Sequence, residues 1–425
     1  MKQLSAEVPL QVLSLDSNMT ASPISLAPNP KPPTSDKQGY GSLASLYTAF
    51  SLDFARYCLE HLSSDGCRAI CDPFSGMGTV GEAGRHLPVT LTLNDLNPFA
   101  AMSAIFRTAT PVALMKAIER MRSFQLPELP THEREAFTSA VSVKLGKTEP
   151  LSSLINARVT TETERASLDI HLLSLIRLAT HKQLRGSNPT WTKRSTGMSI
   201  DAATFEAARN SVLQAASLYA GKLPQLHPNF SAASRCGDLF DLQIEDGSVD
   251  AILTSPPYPN RTDYIRHYLP ATELLIGGDE TIERNLRQSQ IGTPLIREEH
   301  EDVELPESAA VFIDAVRRHG SYASERYYSK GYHYYFTDMR RAFARIRRWL
   351  RPNGQAIIVV QDAYYKEIRI PVGDLVSDVA AMEGLVLEAR SDFPVRQTLS
   401  RLSAKARAHA PKRPAVESVL LLRRR

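Results

Sequence analysis

The chain has 425 residues, 43% hydrophobic and 23% charged, with 50 Lys and Arg against 46 Asp and Glu for a net charge of +4. This is the composition of an ordinary soluble globular protein, long enough for one large α/β domain with an insertion or for two domains. No stretch has the apolar length of a bilayer span, and no basic segment followed by an apolar core opens the chain, so membrane insertion and export are not expected. Cys58, Cys67, Cys71 and Cys236 show no close metal-ligand spacing, which points to reduced thiols in the cytoplasm and to no metal.

Residues 1–37, rich in Ser, Pro and Asn, read as a flexible leader with room for one short ordered segment. Leu46, Phe50, Phe54, Tyr57 and Cys58 recur at helical spacing and predict a helix over 42–62. A short strand, Arg68 to Cys71, runs into Asp72-Pro73-Phe74-Ser75-Gly76-Met77-Gly78-Thr79. The next strand, Val89 to Leu93, leads to Asn94-Asp95-Leu96-Asn97-Pro98, where Asn97 suits a helix cap and Pro98 a first helical position.

Residues 38–105 thus read as the first part of an α/β core. Residues 106–232 read as a helical insertion, with helices near 112–125, 159–183 and 202–220. The core resumes over 233–425. It begins with Cys236-Gly237-Asp238-Leu239-Phe240, and a buried strand Val249 to Leu253 follows, delivering Thr254-Ser255-Pro256-Pro257-Tyr258. Phe336, Met339, Phe343, Ile346 and Leu350 mark one helix face, Ala356 to Val360 a central strand, and Leu385–Ala389 with Ser418–Leu422 a closing hairpin. The predicted architecture is a mostly parallel sheet with helices on both faces, closed by an antiparallel pair.

In open sheets of this kind ligands bind beyond the C-terminal strand ends. Gly76 and Gly78 follow such a strand, where they let the backbone turn tightly and approach a ligand. Asp95, ending the next strand, is placed to accept hydrogen bonds from both hydroxyls of a ribose, and Asp238, ending the one after, to bind an adenine amino group. Gly76, Gly78 and Gly81 also fit Gly-x-Gly-x-x-Gly, so this loop alone does not exclude a dinucleotide.

The second loop argues against one. In Ser255-Pro256-Pro257-Tyr258 two prolines remove backbone donors and stiffen the turn, leaving fixed carbonyl acceptors between a hydroxyl and an aromatic ring. Ser255 Oγ and the Pro256 carbonyl are suited to hold the protons of an aromatic amine while Tyr258 stacks on its ring. An exocyclic amine delocalises its lone pair into the ring, and two such acceptors aim that lone pair at a sulfonium methyl group. No cysteine follows a proline, which disfavours attack through a thiol.

At these residues the chain resembles the amino-methyltransferase family of DNA modification enzymes. Asp72 to Thr79 looks like their cofactor loop and Thr254 to Tyr258 like their catalytic loop, in the Ser-Pro-Pro-Tyr form more usual for N4-cytosine than for N6-adenine enzymes. The resemblance covers roughly 40–105 and 233–425. It implies a seven-stranded Rossmann-like fold, S-adenosylmethionine as donor and S-adenosylhomocysteine as product, and direct transfer to N4 of cytosine in double-stranded DNA. It leaves room for a cognate restriction endonuclease as a companion and for a monomer or a dimer. Cofactor-binding positions are then Tyr47, Asp72, Pro73, Phe74, Ser75, Gly76, Gly78, Thr79, Asp95, Asp238 and Leu239, with Ser255, Pro256, Pro257 and Tyr258 catalytic. The helix at 42–62 resembles the segment that packs over the methionine end of the cofactor. The long insertion falls before Asp238 rather than directly after the catalytic loop, which departs from the simple family order.

A base stacked in a duplex must be flipped out to reach a buried methyl donor, and phosphate contacts must hold the strained DNA meanwhile. Arg177, Lys182, Arg185, Lys193 and Arg194, in a stretch with no acid from 177 to 195, are candidates, as are Arg396, Arg401 and Lys405 in the final hairpin loop and Arg261 beside the catalytic loop. The insertion is the first choice for target recognition and 259–333 the second. Other readings are an N6-adenine enzyme, an RNA or protein-amide methyltransferase, and a DNA-binding module that has kept the fold without the activity.

Overall fold

The structure, a computed structural model, describes residues 23–31, 39–44, 50–124, 161–180, 202–276, 279–295, 303–395 and 414–425. The strands are β1 (Ala69–Asp72), β2 (Thr90–Asp95), β3 (Ser231–Cys236), β4 (Val249–Thr254), β5 (Leu350–Gln361), β6 (Ala363–Tyr365), β7 (Ile368–Ile370), β8 (Leu385–Pro394) and β9 (Val416–Arg424). The helices are α1 (Leu52–Ser64), α2 (Thr79–Ala83), α3 (Pro98–Thr108), α4 (Pro111–Arg122), α5 (Thr161–Thr180), α6 (Ala202–Lys222), α7 (Tyr264–His267), α8 (Leu269–Leu275), α9 (Glu280–Ser289), α10 (Glu307–Arg317), α11 (Ser329–Trp349) and α12 (Val372–Met382).

Seven strands form one sheet in the order β3-β2-β1-β4-β5-β9-β8. The first five run parallel, and β9 is inserted antiparallel between β5 and β8. The hairpin has the expected pairing, with Leu387 opposite Leu422 and Ala389 opposite Leu421. Alternation along the strands sorts their side chains to two faces. Ile358, Val360, Leu420 and Leu422 meet α11 and α12, whereas Ile357, Val359, Val419 and Leu421 meet the face covered by α1 and α2. This is the expected α/β class, a mixed seven-stranded sheet flanked by helices as in Rossmann-like S-adenosylmethionine-dependent methyltransferases, with a helical insertion. Among the described residues no helix is long and apolar enough to cross a membrane.

The insertion helices α4, α5 and α6 pack with α3 and α8 around Phe106, Leu114, Ile118, Leu172, Ile176 and Phe205. A buried polar set ties this layer to the sheet: Arg107 Nε meets Glu82 at 2.7 Å, and the Tyr219 hydroxyl donates to the same carboxylate at 2.7 Å. The helix expected over 42–62 is shorter. Tyr40–Ser42 is a single 3-10 turn, and α1 starts only at Leu52, where the Ser51 hydroxyl accepts from Phe54 N at 3.1 Å. The cap ends the helix ahead of the apolar positions that extended the pattern backward. Asn97 caps α3 as expected, accepting from Phe99 N at 2.9 Å with Pro98 in the first turn.

Two glycines of the first loop have separate duties. Gly78, at φ +81°, lies so close to α3 that a Cβ there would sit 2.5 Å from the Ala104 Cα. Gly76, at φ +50°, has no atom within 4 Å of that position. Gly78→Ala is therefore expected to lower stability by about 3 kcal/mol, combining left-handed strain with a backbone clash, and Gly76→Ala by about 1 kcal/mol. Urea denaturation of the two variants checks the difference, and equal losses would contradict it.

Candidate active site

The order of the parallel strands reverses between β1 and β4, and a cleft opens at their C-terminal ends, where open α/β sheets bind ligands. It has about 1140 Å³ of empty volume, including its open mouth. Its walls bring together Asp72 to Met77 and Thr79 from the loop after β1, Asp95 from β2, Asp238 and Leu239 after β3, and Ser255 to Tyr258 after β4. The sequence separates these segments by more than a hundred residues of insertion, and the sheet order reunites them.

Hydrogen bonds lock the loops to one another. Asp95 accepts from Gly76 N at 2.9 Å through one carboxylate oxygen and from Asn97 N at 2.8 Å through the other. The Asn94 amide donates to the Pro73 carbonyl at 3.3 Å and the Gly237 carbonyl at 3.2 Å, joining the loops after β1 and β3. The Thr254 hydroxyl donates to Asp72 Oδ1 at 2.6 Å, joining the first loop to the strand that carries Ser255. Asp238 accepts from Phe240 N at 3.0 Å and so caps a short 3-10 turn while lining the cleft. Ser75 Oγ, buried in the first loop, has no partner.

Burial dominates the electrostatics. It pushes the Asp72 carboxyl up to about 7 against the hydrogen bonds from Thr254 and Phe74 N, and the Asp95 carboxyl up to about 6 against those from Asn97 N and Gly76 N. In the folded protein both groups keep protons that the unfolded chain releases near 3.8. Their contribution to stability is therefore full below that value and lost as pH rises through about 7. Chemical denaturation of the free protein at a series of pH values is expected to show stability falling over this window. Asp72→Asn is expected to flatten the slope, and an unchanged slope would contradict the assignment.

The second loop is held from behind. The Tyr335 hydroxyl donates to the Pro257 carbonyl at 3.0 Å, and Tyr258 N donates to the Tyr264 hydroxyl at 3.3 Å. Ser255 Oγ donates to the Tyr258 hydroxyl at 3.3 Å. Tyr258 lines the cleft but is 8% exposed, with its hydroxyl turned inward.

Other expected residues fall differently. Gly78 does not line the cleft; its place is against α3. Tyr47, Lys182, Arg185, Lys193, Arg194, Arg396, Arg401 and Lys405 lie outside the described residues. Arg177 is buried at 6% exposure, because α5 is covered by neighbouring helices, and so is not on a surface that meets phosphates. Arg261, at φ +58°, lies 4.2 Å from the Tyr327 ring centroid and 4.9 Å from that of Tyr328, and its guanidinium bonds the Tyr327 hydroxyl. Helix α1 packs under the sheet; among the described residues of that region Phe50 reaches the cleft. The sequence reading missed His267, Tyr268 and Gln290 in the cleft wall. Gln290 accepts from Tyr264 N at 2.8 Å, a long-range bond that no local pattern signals.

Comparison with known proteins gives a short local match. The chain is 52% identical over 50 residues to the type II methyltransferase M.BsoBI of Geobacillus stearothermophilus, a match covering 12% of this chain and 9% of that protein. No family model matches the chain.

Proposed function

We propose that the chain is an S-adenosylmethionine-dependent methyltransferase that modifies the exocyclic N4 amine of cytosine in duplex DNA, acting on a base turned out of the helix. The observation that carries this reading is the meeting, in one cleft, of the Asp95 and Asp238 carboxylates with the Ser255-Pro256-Pro257-Tyr258 loop. The short identity with a type II methyltransferase supports it.

The residues fit the donor. Asp95, held rigidly by two backbone N–H groups, keeps lone pairs for ribose hydroxyls, and Asp238 is the acceptor for an adenine amino group. Gly76 gives the ligand room beside the backbone, and the unpartnered Ser75 Oγ offers it a polar contact. Held by these residues, S-adenosylmethionine would supply an electrophilic methyl carbon.

On the acceptor side, Tyr335 occupies the Pro257 carbonyl, so the Pro256 carbonyl and Ser255 Oγ are the acceptors assigned to the amine. Holding its two protons turns the lone pair out of conjugation and along the line of transfer, and this alignment is a large part of the rate. Serine at position 255, through the family resemblance, favours cytosine over adenine. Arg261 and its two tyrosines at the start of the following segment are the described groups best suited to the displaced strand, by charge and stacking.

The test is incubation with labelled S-adenosylmethionine and mixed-sequence duplex DNA, then digestion to nucleosides and mass spectrometry. N4-methylcytosine is expected. N6-methyladenine would overturn the choice of base, and unmodified DNA alongside labelled RNA or protein would overturn the substrate class.

A further inference from the structure

One buried carboxylate near the cleft has no part in the scheme above. Glu417, at the start of β9, lies opposite Gln361 at the end of β5 and Phe393 near the end of β8, at the ligand-binding edge of the sheet. It is 6% exposed, and its Oε2 has no hydrogen-bond partner. Leaving a carboxylate incompletely bonded in such a place is costly, and an apolar side chain would pack there without the penalty.

Its contact explains the position. The Tyr258 hydroxyl lies against the Glu417 carboxylate and favours its ionised form, and Ser255 Oγ donates to the Tyr258 hydroxyl at 3.3 Å. The three groups follow one another from the cleft wall to β9, with the Ser255 hydroxyl directed at Tyr258. Resting on the methyl-transfer reading, we propose that Glu417 is the terminal acceptor of a proton wire that runs from the substrate amine through Ser255 and Tyr258.

The step balances. As the nitrogen–carbon bond forms, the carbon–sulfur bond breaks and its electron pair leaves on sulfur, so the amine nitrogen carries a positive charge and a surplus proton. That proton moves to Ser255 Oγ, the Ser255 proton to the Tyr258 oxygen, and the Tyr258 proton to Glu417. The nitrogen becomes neutral, the carboxylate becomes a carboxylic acid, and the acid returns its proton to solvent before the next turnover.

The groups facing Glu417 suit it to this part. Lys31, from the segment ahead of α1, and Tyr258 favour the ionised form, while burial opposes it and pushes the carboxyl up to about 7. The phenols of Tyr264 and Tyr335 are neighbours of Tyr258, and the strand neighbours Gln361 and Phe393 do not titrate. Asp362, one residue along, accepts from Val416 N at 3.3 Å and is paired with Arg369 at 2.7 Å. An acceptor with an affinity for protons near neutrality is the efficient kind at physiological pH.

The test is Glu417→Gln, which keeps the shape and removes the accepting charge, with thermal melting to check folding. Single-turnover methyl transfer to saturating DNA is followed from about pH 5.5 to about pH 9, alongside direct measurement of S-adenosylmethionine binding. The wild-type rate is expected to rise with pH to a plateau. Glu417→Gln is expected to be about 100-fold slower at neutral pH and to lose the rising limb, with donor affinity unchanged. Tyr258→Phe, which breaks the wire at its middle, is expected to lose the same limb, and Glu417→Asp to recover part of it. A folded Glu417→Gln protein with the wild-type limb, at whatever rate, would overturn the wire. A wild-type protein that methylates no nucleic acid would instead overturn the methyl-transfer reading, a distinct result.

Discussion

Replacing Asp95 with alanine is expected to weaken S-adenosylmethionine binding by at least about 100-fold. A hydrogen bond to a charged acceptor contributes about 1.5–3 kcal/mol, and the proposal assigns Asp95 two of them, to the ribose hydroxyls. The loss has a second source in the free protein. Asp95 accepts from Gly76 N and Asn97 N, so its removal unfastens the loop after β1 from the loop after β2 and loosens the cleft before any ligand arrives. Asp95→Asn separates the two effects, since its amide oxygen keeps an acceptor for one of these donors. Titration calorimetry on the three proteins is expected to rank them wild type, asparagine, alanine. A wild-type affinity in Asp95→Ala would remove the donor from this cleft.

Ser255→Ala is expected to lower the rate of the chemical step by about 100- to 1000-fold, the usual range for losing one aimed hydrogen-bonding group that acts on the reacting atoms. The effect belongs in kcat, with donor affinity unchanged, because Ser255 is assigned to the methyl acceptor and the donor to Asp95, Asp238 and the first loop. Its hydroxyl is also the first link to Tyr258. Combining Ser255→Ala with Glu417→Gln should therefore cost little more than Ser255→Ala alone. Single-turnover rates of the single and double variants check this; fully additive losses would show that the two residues act separately.

The sequence was most legible where local chemistry and position coincide. The Asp72 to Thr79 and Ser255 to Tyr258 loops each follow an apolar strand, so their place on the ligand edge follows from the strand pattern, and the fold brings both into one cleft. The closing hairpin was readable because β9 alternates against two cores. Strand β3 was not, since Ser-Ala-Ala-Ser-Arg-Cys has no β-branched or aromatic residue and earns its place at the sheet edge only by pairing with β2. Arg177 looked like part of a basic surface until α5 proved to be covered by its neighbours. Gly78 looked like a ligand-facing glycine, but its lack of a side chain serves α3. Glu417 carries no motif at all: its meaning depends on a tyrosine 159 positions earlier in the chain, as Glu417 and Tyr258 are numbered.

The central claim is that this one cleft takes the methyl donor and delivers its methyl group to an exocyclic base nitrogen. The most direct measurement is a single turnover with enzyme preloaded with S-adenosylmethionine labelled in the methyl group, mixed with duplex DNA and quenched for nucleoside analysis. The label is expected on an exocyclic nitrogen in the wild-type reaction, at no more than one methyl group per preloaded enzyme, and almost none at the same time with Ser255→Ala. Label that stays on the donor, or the same yield and rate from Ser255→Ala, would contradict it.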